Sequence, residues 1–175
     1  LQALAAAYSQ QKSFGESLRC LPAHAAPLIR PLADRIQQFT ESSIFADYVF
    51  LGQGPFFGLA SEAQLKTKEM SCSYAQSFHT LEFRHGPKAI VSPETLVTFL
   101  LSESGFEAES EVLQEIKNLG ACTFVVANHV NGDVRKAADM LVELKLELPE
   151  YARLAAYALA TTSGLLHGPQ EGARP

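Results

Sequence analysis

Residues 47–71 read DYVFLGQGPFFGLASEAQLKTKEMS, and the reading of this stretch decides the fold. Asp47 to Leu51 is short, apolar and aromatic, the composition of a strand. Gly52-Gln53-Gly54-Pro55 breaks it, and a helical pattern follows from about Phe57 to Ser71. The alternation then continues downstream. Ala75 to Phe78 predicts a brief strand and Leu81 to His85 a short helix. Thr95 to Leu101 (TLVTFLL) is a continuous apolar run of the kind buried on both faces of a parallel sheet. Glu107 to Leu119 is an amphipathic helix with Val112, Leu113, Ile116 and Leu119 inward. Cys122 to Ala127 is another buried strand, Met140 to Leu146 alternates Leu/Val with charge as an edge strand does, and Pro149 to Leu166 closes the chain as a helix with Pro in its first turn. Strand, crossover helix, strand, repeated, predicts an α/β fold with a doubly wound parallel sheet of about five strands flanked by helices.

Upstream of this pattern the chain reads as helix. Leu1 to Lys12 has helical spacing and much Ala, and Phe14 to Leu21 continues it. Pro22, Pro27 and Pro31 then punctuate the chain, and Leu32 to Phe39 resumes the pattern. Residues 1–44 are therefore expected to be a helical lead-in or linker with dimerisation helices, and residues 45–175 the α/β domain. The chain opens Leu-Gln in mid-helix without Met and is read as a piece of something longer. In a doubly wound sheet the ligand lies beyond the carboxyl ends of the strands, where the strand order reverses. The loop Gly52 to Pro55 leaves the first strand there. Its single GxG lacks the third Gly and the acidic partner of a dinucleotide site.

Composition narrows the function classes. The chain has 175 residues, 47% of them hydrophobic, with a formal charge of −5. That balance speaks against nucleic acid as a partner, since phosphate backbones need a basic face. A phosphorylated small molecule is still admissible, because backbone N–H groups at a helix start can hold it. Apolar runs fall well short of a membrane span, and no secretory leader opens the chain, so no membrane partner and a cytoplasmic location are expected. Cys20, Cys72 and Cys122 form no metal spacing and no disulfide framework, and His24, His79, His129 and His167 share no ligand spacing. No metal and no cofactor are assigned.

The chemistry-bearing residues cluster in LKTKEMSCSYAQSFHTLEFRHGPK, residues 65–88. Glu62, Lys66 and Glu69 stand at i, i+4 and i+7, on one helical face. His85 follows, held by Gly86 and Pro87 at the stop of a short helix. A carboxylate, a cation and an imidazole are the parts needed to move protons between neighbouring carbons of a sugar. Each also has a plain structural role open to it: Glu69 and Lys66 as a solvated pair, His85 as a helix terminator, Glu62 and Glu82 as structural ion-pair partners. Arg84 and Lys88 are read as surface charges.

FLGQGPFFGLASEAQLKTKE followed by EFRHGP resembles the sugar-isomerase (SIS) family, in particular the C-terminal isomerase module of glucosamine-6-phosphate synthases and related amino-sugar phosphate isomerase/deaminases. The resemblance runs from about Phe45 to Asn128 and implies a flavodoxin-like sheet. It further implies that Glu69 carries a proton between C1 and C2 of an open-chain hexose or amino-hexose 6-phosphate through an enediol. His85 would assist ring opening, reaching into the site of a neighbouring subunit, with Lys66 as electrostatic partner. Glu62, Glu82 and the loop residues Gly52, Gln53 and Gly54 would line the substrate. Two parts of the family are not found: a phosphate-gripping SxSGxT run, assigned instead to the other module, and a C-terminal lysine tail. The chain is thus expected to be the second of a tandem pair and to form a homo-oligomer with a sugar phosphate as substrate. A fructosamine-phosphate deglycase and a non-catalytic phosphosugar sensor are the alternatives that the same residues leave open.

Overall fold

The structure, a computed structural model, describes residues 7–10, 12–41, 44–148, 153, 154, 156–158, 160 and 161. Five strands, β1 (Asp47–Gly52), β2 (Tyr74–Phe78), β3 (Thr95–Leu100), β4 (Cys122–Ala127) and β5 (Met140–Glu143), form one sheet in the order β2-β1-β3-β4-β5. Every pairing is parallel, with Asp47 opposite both Tyr74 and Thr95, Leu96 opposite Cys122 and Phe124 opposite Met140. The helices are α1 (Lys12–Glu41), α2 (Pro55–Ser71), α3 (Thr80–Phe83), α4 (Phe106–Asn118) and α5 (Gly132–Ala137), with a 3-10 turn at Pro87–Ile90. The doubly wound parallel sheet expected from the sequence is the observed one.

Two apolar layers sandwich the sheet. Because side chains alternate along a strand, Phe50, Leu96, Leu100, Phe124 and Val126 point to one face and Val49, Leu51, Val97, Phe99 and Val125 to the other. The first face is covered by α1, α2 and the helical residues Ala156, Tyr157 and Ala160. The second is covered by α3, α4 and α5, through Phe83, Val112, Leu113, Ile116, Val134 and Ala137. β3 lies in mid-sheet and is buried along its whole length, which is why TLVTFL shows no polar alternation.

Three features differ from the expectation. Pro22, Pro27 and Pro31 do not break the lead-in: α1 is one helix of 30 residues that contains all three. Each proline deletes an intrahelical hydrogen bond, but all three are exposed, while Leu21, Leu32 and Ile36 on the inner stripe are buried in the first layer. Packing of that stripe, reinforced by an Arg35 Nη2 donation to the Leu141 carbonyl at 3.2 Å, outweighs the lost bonds. Leu119, expected inward, is 49% exposed, because α4 ends at Asn118 and Leu119 serves as its C-cap. The edge strand stops at Glu143, where Lys145 takes a left-handed φ of 53°, although Leu144 and Leu146 remain buried beyond it. Of the two terminal helices expected, Leu1 to Lys12 lies largely outside the described residues, and Pro149 to Leu166 is seen as helix at residues 153–161 where described.

Gly52 closes β1 where the chain turns sharply into α2. A Cβ built there would stand 2.5 Å from the Phe56 carbonyl oxygen, an atom of rigid backbone. Gly52→Ala should therefore destabilise the fold by about 1–3 kcal/mol, the cost of overpacking a filled site, read as a lower urea midpoint with an unchanged m-value.

Candidate active site

Helix α2 carries the first cluster. Ala60, Ala63 and Thr67 face the core, which leaves Glu62, Lys66 and Glu69 on the outward side. Lys66 Nζ lies 2.9 Å from Glu69 Oε2 and 4.0 Å from Glu62 Oε1, so the structure brings these three together. The hydrogen bond to Glu69, then its charge, hold the Lys66 ammonium above the ordinary lysine pKa. The Glu69 side chain is 51% exposed, so this chain by itself does not desolvate it.

The second cluster surrounds the short helix α3 that follows β2. His85 follows α3 and is exposed, its N–H donating to the Glu82 carbonyl at 3.0 Å. Glu82 is exposed as well. Arg84 and Lys88 are engaged by α4: Arg84 reaches Glu111 at 3.3 Å and Glu115 at 2.5 Å, and Lys88 reaches Glu115 at 2.9 Å. These bridges clamp the His-Gly-Pro segment to α4. Bonds from Lys88 and then Arg84 hold the Glu115 carboxyl below the usual range.

Within one chain the two clusters do not meet. α2 packs on the first face of the sheet through Ala60 and Ala63, whereas α3 is anchored on the second face by Phe83. Glu69 and His85 are therefore separated by the sheet itself. Nor does Glu69 reach the Gly52-Gln53-Gly54 loop. At about 1.5 Å of rise per residue it lies roughly 20 Å along the helix axis from Gly54.

The loop does stand at the topological switch point, since β1 and β3 are neighbours and their crossovers leave in opposite directions. Three buried polar atoms without hydrogen-bond partners lie beside it: Gln53 Oε1 after β1, and His79 Nδ1 and Thr80 Oγ1 after β2. The His79 ring stacks on Phe57 with centroids 4.0 Å apart. Sequence reasoning left His79 unassigned; its place directly after a strand of a parallel sheet was the available signal.

Across the crevice, the turn after β3 reads Ser102-Glu103-Ser104-Gly105. This corrects the reading that no SxSGxT-like run occurs: the first four positions fit, and Glu107 stands where the threonine would. Glu103 is gripped by both Nη atoms of the buried Arg153, at 2.6 and 2.7 Å, and by Asn128 Nδ2 at 3.1 Å. Asn128 also bonds both backbone groups of Leu146. No group of His, Cys, Asp and Glu able to hold a metal occurs among the described residues, and no helix among them is long and apolar enough to cross a membrane.

The fold has clear counterparts among solved structures. The tagatose-6-phosphate ketose/aldose isomerase of Escherichia coli superposes with a TM-score of 0.77 at 20% identity, over 90% of this chain and 44% of that one. The fold is that of a sugar-isomerase (SIS) domain. The C-terminal domain of the glucosamine-fructose-6-phosphate aminotransferase of Francisella tularensis gives a TM-score of 0.71 at 20% identity, over 93% of the domain and 44% of that chain. The glucosamine-6-phosphate deaminase of Thermotoga maritima gives 0.60 at 25% identity, over 89% and 43%. In sequence, the domain is 30% identical over 134 residues to the isomerizing glutamine–fructose-6-phosphate aminotransferase of Mycolicibacterium paratuberculosis. That alignment takes in 74% of the domain but 21% of the relative, so the chain spans about a fifth of the curated protein it matches. No family model matches the chain.

The Glu103–Arg153 pair ties the helical residues around Arg153 to the turn after β3. Arg153 is buried while Glu103 is 48% exposed, which moderates its worth. Donation from Arg153 is the main cause that holds the Glu103 carboxyl below its usual pKa. Such a depressed group stabilises above the unfolded pKa, and the contribution fades as pH falls through the folded value. Arg153→Ala should cost about 1–2 kcal/mol at pH 7 in urea unfolding, and the gap to wild type should narrow on acidification toward pH ~3.

Proposed function

We propose that this domain is the part of a sugar-phosphate isomerase, or deaminating isomerase, that carries the proton-transfer groups, with a hexose or amino-hexose 6-phosphate as substrate. The reading is supported by the exposed Lys66–Glu69 pair at 2.9 Å on one face of the sheet and the exposed His85 on the other. Groups that are solvent-exposed and divided by their own sheet become one site only when a second body covers them. That body is another copy of the domain or the other half of a longer chain, and it supplies the water exclusion that proton transfer at carbon requires.

In this assembly Glu69 removes the proton from one of C1 and C2 and returns it to the other, so a single carboxylate serves both carbons through the enediol. The Lys66 ammonium faces the negative charge that develops on the enediol oxygens, and Glu62 keeps Lys66 turned toward Glu69. His85 moves a proton at the ring oxygen as the sugar opens. Gln53, with Gly52 and Gly54, and Glu82 line the end of the substrate nearest His85. The domain works as part of a homo-oligomer.

In the assembled protein, Glu69→Gln should lower proton exchange at C2 by about a thousandfold with sugar-phosphate affinity nearly unchanged, measured by deuterium incorporation and calorimetry. Mixing Glu69→Gln with His85→Ala subunits should restore about a quarter of wild-type turnover in a two-fold dimer, because one of the two sites in each mixed pair is intact. Unchanged exchange in Glu69→Gln removes the base from Glu69. Absence of recovery in the mixture removes His85 from the neighbouring copy's site.

A further inference from the structure

His85 lies in the segment that the core holds least. The helix before it, α3, is a single turn of four residues, too short to persist on its own. The 3-10 turn after it, Pro87–Ile90, buries none of its residues. Apolar anchoring comes from the fully buried Phe83 on one side and the half-buried Val91 on the other. A single carboxylate bridges the interval between them. Glu115 receives Arg84 Nη2 on Oε1 at 2.5 Å and Lys88 Nζ on Oε2 at 2.9 Å, so its two oxygens hold the residues one before and three after His85. Glu111, one turn earlier on α4, takes the other arm of Arg84 at 3.3 Å. The platform is rigid, because Val112, Leu113 and Ile116 of the same helix are fully buried. Each bridge is partly exposed and adds little stability alone. What they share is place: the two arms straddle the imidazole.

We propose that Glu115 is a positioning residue for His85, fixing where the imidazole is presented to the body that completes the site. The inference rests on the functional reading above for what His85 does there, and adds the group that aims it. A proton donor must stand within hydrogen-bond reach of the ring oxygen, and a misplacement of about 1 Å costs about a hundredfold in rate. The carboxylate acts on the chemistry only through the backbone it ties down. Ring opening is the step that calls on His85; once the sugar is open, proton exchange runs on Glu69. Loss of the clamp is therefore felt by a substrate that must open and not by one that cannot close.

The test compares wild type with Glu115→Gln, which keeps the shape and gives up the charge, in the assembled protein. Hydrogen exchange read by mass spectrometry follows the amides of His85, Ala89 and Val91, which donate to the carbonyls of Glu82, Gly86 and Lys88 at 3.0, 3.0 and 3.1 Å. They should exchange about tenfold faster in the variant, with the amides of α4 unchanged. Deuterium exchange at C1, the carbon from which a ketose loses its proton, is then measured on two substrates. One is fructose 6-phosphate; the other is 5-deoxyfructose 6-phosphate, which lacks the hydroxyl that closes the furanose ring. Relative to wild type on the same substrate, kcat for exchange should fall at least about tenfold on the first, with KM within about twofold, and stay unchanged on the second. Unchanged amides overturn the proposal, and so does an equal loss on both substrates. If wild type exchanges neither substrate, the functional reading fails and this one with it. Exchange in wild type that Glu115→Gln does not alter sinks this one alone. Should Glu115→Gln not fold, Lys88→Met, which cuts one arm and leaves Arg84 paired, is read by the same outcomes.

Discussion

The crossover from β1 to β2 is the constraint on which the rest depends. β2 lies on one side of β1 and β3 on the other, so the right-handed connections must place α2 and α4 on opposite faces. α3, pinned beneath by Phe83 and beside by the Arg84 and Lys88 bridges to α4, follows α4 to its face. Once that is settled, the carboxylate of Glu69 and the imidazole of His85 have no path to one another within a chain. A pattern of residues that lies close together in the linear sequence becomes two separate clusters in space. The separation is produced by backbone handedness, not by the side chains concerned.

The sheet was legible because its signals are strong and local. TLVTFL and CTFVVA could hardly be anything but buried strands, and the β1–loop–α2 unit has a strand composition, a glycine break and a proline start in sequence. α1 was not legible as one helix. The three prolines argue locally for breaks, and only the tertiary contacts of Leu21, Leu32 and Ile36 overrule them. α5, in a stretch given no element from sequence, is capped by the Asn131 side chain, which accepts from the Val134 N–H at 2.9 Å.

The site was legible in part. The i, i+4, i+7 spacing placed Glu62, Lys66 and Glu69 together, and the distances in the structure agree. Helix height was the step not taken: a residue near the end of α2 stands at the far pole from the loop that begins it. Glu109 is instructive in another way. It shares the inward spacing of Val112, Leu113 and Ile116, so periodicity does put it inside. Chemistry argued the other way, since acidic residues are seldom buried without partners. The partner is the backbone and hydroxyl of Ser102, seven residues back and across a turn that sequence alone does not close.

The Arg35 contact with the Leu141 carbonyl bears on how the sheet ends. An unpaired outer strand offers its main-chain groups to any passing polypeptide, and addition of a foreign strand is a route to aggregates. On β5 one such acceptor is already occupied by a guanidinium. The flank of the strand is also charged, with Glu143 bridged to Arg135 at 2.9 Å and to Lys145 at 3.3 Å. The lead-in helix thus acts as a gatekeeper on that border, through a residue that belongs to neither the Glu69 cluster nor the His85 cluster.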